Sequence, residues 1–291
     1  MTLSRRRFLT ISAGFALLPA GVAAQTWTGR AFGADISMTI RGPKDTAKAA
    51  LVAARAVIAE IEGLFSLYDP NSALSELNLN GELAAPDPRF LEVMAASDKA
   101  HKLTDGLFDP TVQRLWQVIA QNNKPHEYHD TIGWDRVRFG PDKIILDEHQ
   151  ALTFNGIAQG YATDKVTEIL IAHGLDDVLV NIGELRGVGG PWQLSLQDPE
   201  HGDLGLRRVG TGAIATSSPK ATPLGRDGHI IHGTAQVQWS TVSLEAPNAT
   251  LADSLSTALV LAPRDQVEAI KEQTDVTRIT LVDFDGDLIT L

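Results

Sequence analysis

Four short segments of this 291-residue chain carry side chains capable of chemistry. Asp253 and Thr257 lie four residues apart in a run, 249–260, whose spacing predicts a helix. A carboxylate and a hydroxyl would then share one helical face. That pair of oxygens suits Mg²⁺, which keeps water and phosphate oxygens as its other ligands; the plainer alternative is that Asp253 complements the helix dipole and Thr257 is incidental. Asn155-Gly156-Ile157-Ala158-Gln159-Gly160 places small residues at a loop-to-helix junction. Backbone can approach a ligand closely there and helical N–H groups can meet a phosphate, or the segment is a tight turn and no more. His229 and His232 flank two isoleucines. One can exchange a proton near neutral pH, the two together can ligate a metal, or both can simply hydrogen-bond within a loop. Tyr68, in the polar stretch 66–78, can stack on a planar ligand or pack like most tyrosines.

These segments need a scaffold, and the periodicity supplies one. Alternation at Ala34, Ile36, Met38 and Ile40 predicts a strand, closed by Arg41-Gly42-Pro43. Leu51, Ala54, Val57, Ile58, Ile61, Leu64 and Phe65 recur at helical spacing and predict an amphipathic helix over 44–66. Pro88 opens a second helix that Gly106 ends, and a third starts near Pro110 with Val112, Leu115, Trp116 and Ile119. Residues 122–150 read as irregular, with short strands. A helix is expected over 156–173 with Gly174 as its stop, then a buried strand at 178–182 and strands at 192–197 and 237–244. A short helix follows Pro263, and Asp285-Gly286 marks a hairpin between 278–282 and 288–291. Helices early and strands late favour an α+β fold of mixed sheets with packed helices over a doubly wound sheet.

Composition narrows the function. With 43% hydrophobic and 21% charged residues the chain is that of a globular protein. A net charge of −11 argues against nucleic-acid or anionic-membrane surfaces. The absence of cysteine excludes disulfides, thiolate metal sites, cysteine nucleophiles and lipid attachment through cysteine. No GxSxG, Walker loop or HExxH occurs. Ser4-Arg5-Arg6-Arg7-Phe8-Leu9, the apolar run from Ile11 to Leu18 and the small residues to Ala24 resemble a twin-arginine export signal. That run is too short to span a bilayer. The expectation is a signal over 1–24, one domain over 25–291, and a periplasmic protein without a permanent membrane anchor.

Taken together and in order, SLYDPNSALSELN, GLFDPTV, NGIAQGYATD, LVNIG, AIATSS, HII and LADSLSTAL resemble the blocks of the ApbE family, the FAD:protein FMN transferases. The resemblance runs from about Phe32 to Val282. It implies Mg²⁺-dependent transfer of FMN from FAD to a Ser or Thr hydroxyl of a periplasmic or membrane redox protein, with release of AMP. By the same resemblance Tyr68 lies against the flavin nucleotide. Leu107, Phe108, Asp109, Thr153 and Gln159 contact FAD, and His229 and Ile231 sit beside the flavin and its phosphates. Gly156, through its carbonyl, and the side chains of Asp253 and Thr257 hold the metal. His229 is the expected base, with His232 second. Thr153 stands where the family often has Asp, Gln159 where it often has Lys, and His232-Gly233 where Asp-Pro is usual. Asn181-Ile182-Gly183-Glu184 lacks one glycine of a common pair. Those departures motivate one alternative, an FAD-binding flavin donor without turnover; a second is an FAD pyrophosphatase, in which water takes the place of the hydroxyl. The implied acceptor is a membrane electron-transfer protein, as in the branch serving nitrous oxide reductase maturation.

The export reading has a direct check. Arg5→Lys with Arg6→Lys should leave unprocessed precursor in the cytoplasm, measured by fractionation and immunoblotting. Efficient periplasmic appearance of that variant would point to general secretion instead.

Overall fold

The computed structural model describes residues 24–121, 130–224 and 228–291, so nearly all of the expected export signal lies outside the described residues. The chain opens with two strands, β1 (Ala24–Ala31) and β2 (Ala34–Arg41). Next come the helices α1 (Lys44–Phe65) and α2 (Ala73–Asn80), a short strand β3 (Glu82–Ala84), then α3 (Pro88–Leu103) and α4 (Gln113–Ala120). Short strands β4 (Arg138–Phe139) and β5 (Lys143–Ile145) precede helix α5 (Ala158–Ala172). Five strands follow: β6 (Val178–Asn181), β7 (Leu185–Val188), β8 (Trp192–Asp198), β9 (Gly202–Val209) and β10 (Gly212–Ser217). The chain ends with β11 (Thr241–Ala246), α6 (Ala249–Leu259), α7 (Arg264–Glu272), β12 (Arg278–Val282) and β13 (Leu288–Thr290).

Eight strands form one sheet in the order β1-β2-β6-β7-β10-β11-β12-β13, beside a three-stranded sheet β3-β5-β4 and the ribbon β8-β9. Neighbouring strands run antiparallel throughout. With helices packed against these sheets, the α+β expectation holds.

The apolar pattern explains where the elements go. Ile36, Met38 and Ile40 of β2 are buried on one face, and α1 buries Ala47, Ala50, Ala54, Ile58, Ile61 and Phe65 as a single stripe. Three of those six are alanine, which lets α1 pack closely on α5. This core is continued by a ring cluster in which Phe65 meets Phe90 at 5.1 Å and Phe154 at 5.5 Å between centroids. A second core lies between α6, α7 and strands β10 to β12. Leu107 packs against both cores.

The structure moves two expected boundaries and adds a helix. The strand expected over 237–244 begins only at Thr241, because the amides of Gln238 and Trp239 both bond to the Val260 carbonyl at the end of α6 rather than to the sheet. The helix expected from Gly156 begins at Ala158, and Ile157 is not helical (φ −153°, ψ −28°). Helix α2 was not anticipated. It is short, and its start is set locally: the Ser72 hydroxyl accepts the Ser75 N–H at 3.0 Å.

One buried residue ties the helices of the two halves together. Asp164 on α5 accepts the backbone N–H groups of Ala249 and Thr250, both at 2.8 Å, and the Thr250 hydroxyl. It therefore caps α6 from another helix. Arg186 on β7 pairs with the same carboxylate at 2.8 Å, with side chains 19% and 8% exposed. Asp164→Ala leaves Arg186 and two amides without their acceptor and should cost about 3–5 kcal/mol, read from urea unfolding. Glu268→Ala, which breaks the exposed Arg264–Glu268 pair within α7, should cost less than about 1 kcal/mol in the same assay.

Candidate active site

Where the two cores meet, a cavity of about 300 Å³ opens between the β1–β2 turn, the 107–110 segment, the start of α5, the β6–β7 turn, the end of β10 and α6. Its wall includes Leu107, Phe108, Asp109, Thr153, Gly156, Gln159, His229, Ile231, Asp253 and Thr257. These are all but two of the site residues named from the sequence. His232 and Tyr68 are the exceptions: neither is in the wall, and Tyr68 is 68% exposed. Its loop is turned about Ser66, whose hydroxyl accepts the N–H groups of Tyr68 and Asp69, each at 3.2 Å.

The polar floor is built by the junction of α5 and α6. In a helix that began at Gly156, the Gly160 N–H would bond to the Gly156 carbonyl. Instead it donates to Asp253 Oδ2 at 2.9 Å, and among the described residues the Gly156 carbonyl accepts no hydrogen bond. Gly156 also lies against Thr257: a Cβ there would stand 2.8 Å from the Thr257 hydroxyl oxygen. A Cβ on Gly160 would collide with the Ala249 carbonyl and come within 2.7 Å of the Asp253 Cβ. Both glycines are therefore needed for close approach. Together these contacts bring a carboxylate, a hydroxyl and an unused carbonyl to one end of the cavity. All three donors are hard oxygens, which fits Mg²⁺ better than a softer transition metal.

The electrostatics agree with that donor set. Burial pushes the Asp253 carboxyl up to about 7; the Gly160 N–H opposes the shift and the Asp164 charge adds to it. Glu184, 8% exposed in the same wall, is held well above the usual carboxylate range, first by burial and then by the Asp253 charge. The sequence reading had drawn on this segment for its glycine and passed over its acid.

The two histidines separate cleanly. His229 lines the cavity, and its Nδ1–H donates to the Pro219 carbonyl at 2.8 Å. That bond fixes the tautomer, so Nε2 carries the lone pair a general base needs. His232 is not in the wall. Its Nε2–H donates to the Gly106 carbonyl at 3.1 Å, while Nδ1 accepts the N–H groups of Ala235 and Thr234 at 2.9 and 3.2 Å. With both ring nitrogens committed, His232 ties its loop to the end of α3 and is no second base.

Other predicted residues have a structural share in the site. Asp109 accepts the Thr111 N–H at 2.8 Å and so caps the turn at Pro110. The Thr153 N–H donates to the Pro110 carbonyl at 2.8 Å, which joins two stretches of wall. Asn78 on α2 clamps Leu152 from both sides, donating to its carbonyl at 2.8 Å and accepting its N–H at 2.7 Å. Sequence reasoning missed Arg30, Trp116, Glu184 and Thr216 as wall residues.

With this geometry established, comparison with known proteins adds a family. The model of the ApbE family matches residues 32–280. The FAD:protein FMN transferase of Haemophilus influenzae is 24% identical over 279 residues, covering 81% of this chain and 79% of that protein. The protein of the same name from Escherichia coli K12 is 26% identical over 250 residues, covering 72% and 70%. Among solved structures, the flavin transferase ApbE from Vibrio cholerae superimposes with a TM-score of 0.80 at 20% identity, covering 93% of this chain and 97% of that one. The ApbE protein of Thermotoga maritima gives 0.81 at 22%, covering 92% and 96%. At such identities the superpositions show a shared fold.

The raised Asp253 carboxyl predicts a pH dependence. The folded state holds a proton that the unfolded state, with a value of 3.8, has released, so this contribution is full below that value and is lost as pH rises through about 7. In EDTA, the melting temperature of the parent should fall between pH 5 and pH 8 more than that of Asp253→Asn. Equal slopes would mean that Asp253 is not a buried, proton-hungry carboxylate.

Proposed function

The chain belongs to the ApbE family, and from that premise we propose that it transfers FMN from FAD to a Ser or Thr hydroxyl of an acceptor protein with the help of Mg²⁺. The observation that carries this reading is the diversion of the Gly160 N–H to Asp253. It ties the start of α5 to Asp253, with the backbone of Gly156 against Thr257, in the same cavity as an oriented His229.

The substrate FAD is FMN joined to AMP through a pyrophosphate. Asp253, Thr257 and the Gly156 carbonyl would hold the cation, which neutralises charge developing on the pyrophosphate oxygens when it is bound. His229 Nε2 takes the proton from the acceptor hydroxyl, whose oxygen attacks the FMN-side phosphorus. The bond from that phosphorus to the bridging oxygen breaks and AMP leaves. The acceptor keeps FMN through a phosphoester. Phe108, Ile231 and Leu107 give the wall an apolar side suited to a flavin or adenine ring.

The acceptor in this reading is a membrane electron-transfer protein met in the periplasm, supported by the run from Ser4 to Leu9. Among the described residues no helix is long and apolar enough to cross a membrane.

Incubating the purified protein with FAD, Mg²⁺ and an acceptor carrying a Ser/Thr segment should raise the acceptor mass by one FMN phosphoester and release AMP. FAD that stays bound and intact would favour a flavin donor, and FMN with AMP in the absence of acceptor would favour a pyrophosphatase. In the same assay Asp253→Ala should lose about 2–4 kcal/mol of transition-state stabilisation. His229→Ala should lower turnover roughly 10²–10⁴-fold with FAD affinity near the parental value, because proton transfer acts in the transition state. Lost FAD binding with unchanged catalysis by the bound fraction would make His229 a ligand contact.

A further inference from the structure

We propose that Glu184 supplies the second carboxylate charge of the cation site, a deepening that rests on the transferase reading above. Its backbone is fixed from both sides. Gly183 before it sits at φ +94°, its N–H held by the Asn181 side chain at 3.0 Å. The Glu184 carbonyl accepts the Ile182 N–H at 3.1 Å and the Thr163 hydroxyl at 3.2 Å. The side chain stands in the cavity wall with Asp253 and Thr257, and its carboxylate accepts the Thr216 N–H at 3.2 Å, next to Ser217, whose hydroxyl lies 3.4 Å from that of Thr257.

What distinguishes Glu184 is how little compensates it. Asp164 has Arg186 and the N-terminus of α6. Asp198, equally buried, accepts from the hydroxyls of Ser240 and Thr241 and from the amides of Glu200 and His201. Glu184 accepts one backbone N–H, from Thr216, at 3.2 Å. Its neighbour across the cavity is a neutral amide: a Cβ on Gly183 would overlap the Gln159 carboxamide. Among the described residues of the wall the one cationic side chain is Arg30, whose guanidinium is 76% exposed and lies 3.7 Å from Asp35. A buried carboxylate with so little support calls for a cation from outside the chain. The oxygens of Asp253, Thr257 and Gly156 place that cation at the same end of the cavity. Two carboxylates rather than one raise the affinity of such a site by adding negative charge to its ligand set.

The test is a titration of Mg²⁺ into protein saturated with FAD, followed by calorimetry and by FAD fluorescence, with no acceptor present. Glu184→Gln keeps the volume and the acceptor for Thr216 and should weaken Mg²⁺ binding about 10–100-fold. Its melting temperature in EDTA should be no lower than that of the parent. Glu184→Asp, which keeps the charge, should retain most of the affinity. Parental Mg²⁺ affinity in Glu184→Gln, alongside a loss in Asp253→Asn, would overturn the role of Glu184 and leave the transferase reading standing. If the parent itself takes up no Mg²⁺ in the presence of FAD, the metal part of that reading falls and the role of Glu184 falls with it.

Discussion

The site depends on a single backbone amide donating to a side chain of another helix. The Gly160 N–H, which an ordinary helix would spend on the carbonyl four residues earlier, goes to the carboxylate of Asp253 on another helix. That bond ties α5 to α6 at the start of α5, two residues after Gly156, whose carbonyl stays outside the helical ladder. Glycine at 160 is obligatory for it, since any side chain would strike the α6 backbone. Asp164, one turn further along α5, holds the N-terminus of α6 in the register this bond requires. The two acids divide the labour: Asp164 is neutralised and structural, while Asp253 is left with one N–H and a need for charge from elsewhere.

Around that junction the cavity is assembled from segments far apart in sequence, each held by its own local bond. Thr153 is pinned to Pro110, Leu152 to Asn78, and the His229 segment to Pro219. None of these bonds is chemical in purpose, but each fixes one stretch of wall to within a hydrogen-bond length. The pinning of His229 has a second effect, because the bond that orients the ring also selects its tautomer.

Much of the scaffold was legible in the sequence. The buried stripes of α1 and β2, the α3 start at Pro88 and the β12–β13 hairpin follow directly from periodicity and turn residues. What escaped was set by long-range partners or by shortness. Residues 238 and 239 continue a strand-like alternation, yet their amides bond to Val260. Helix α2, at eight residues, is too short to show a clear period. For the site, spacing alone put Asp253 and Thr257 on one face without choosing between a metal and a helix dipole. The family resemblance then named Gly156, for a carbonyl whose availability no local pattern could reveal. Tyr68 was named by the same resemblance; it stands exposed on the Ser66 turn and is not part of the cavity wall. Glu184 was passed over because its importance comes from burial in the same cavity wall as Asp253, nearly seventy positions away in sequence.

The order of strands in the large sheet also governs how the chain can come together in time. The hairpin of β1 and β2 joins the sheet through β6 alone, with Ser37 opposite Asn181 and Ile40 opposite Val178. The first strands made during synthesis therefore have no sheet to join until the chain has passed Asn181. Helix α1, which follows them, waits likewise for α5. Such long loop closures slow assembly. The Phe32-Gly33 turn, part of the cavity wall, thus reaches its place only after most of the polypeptide exists, and the ligand pocket is among the last features of the molecule to close.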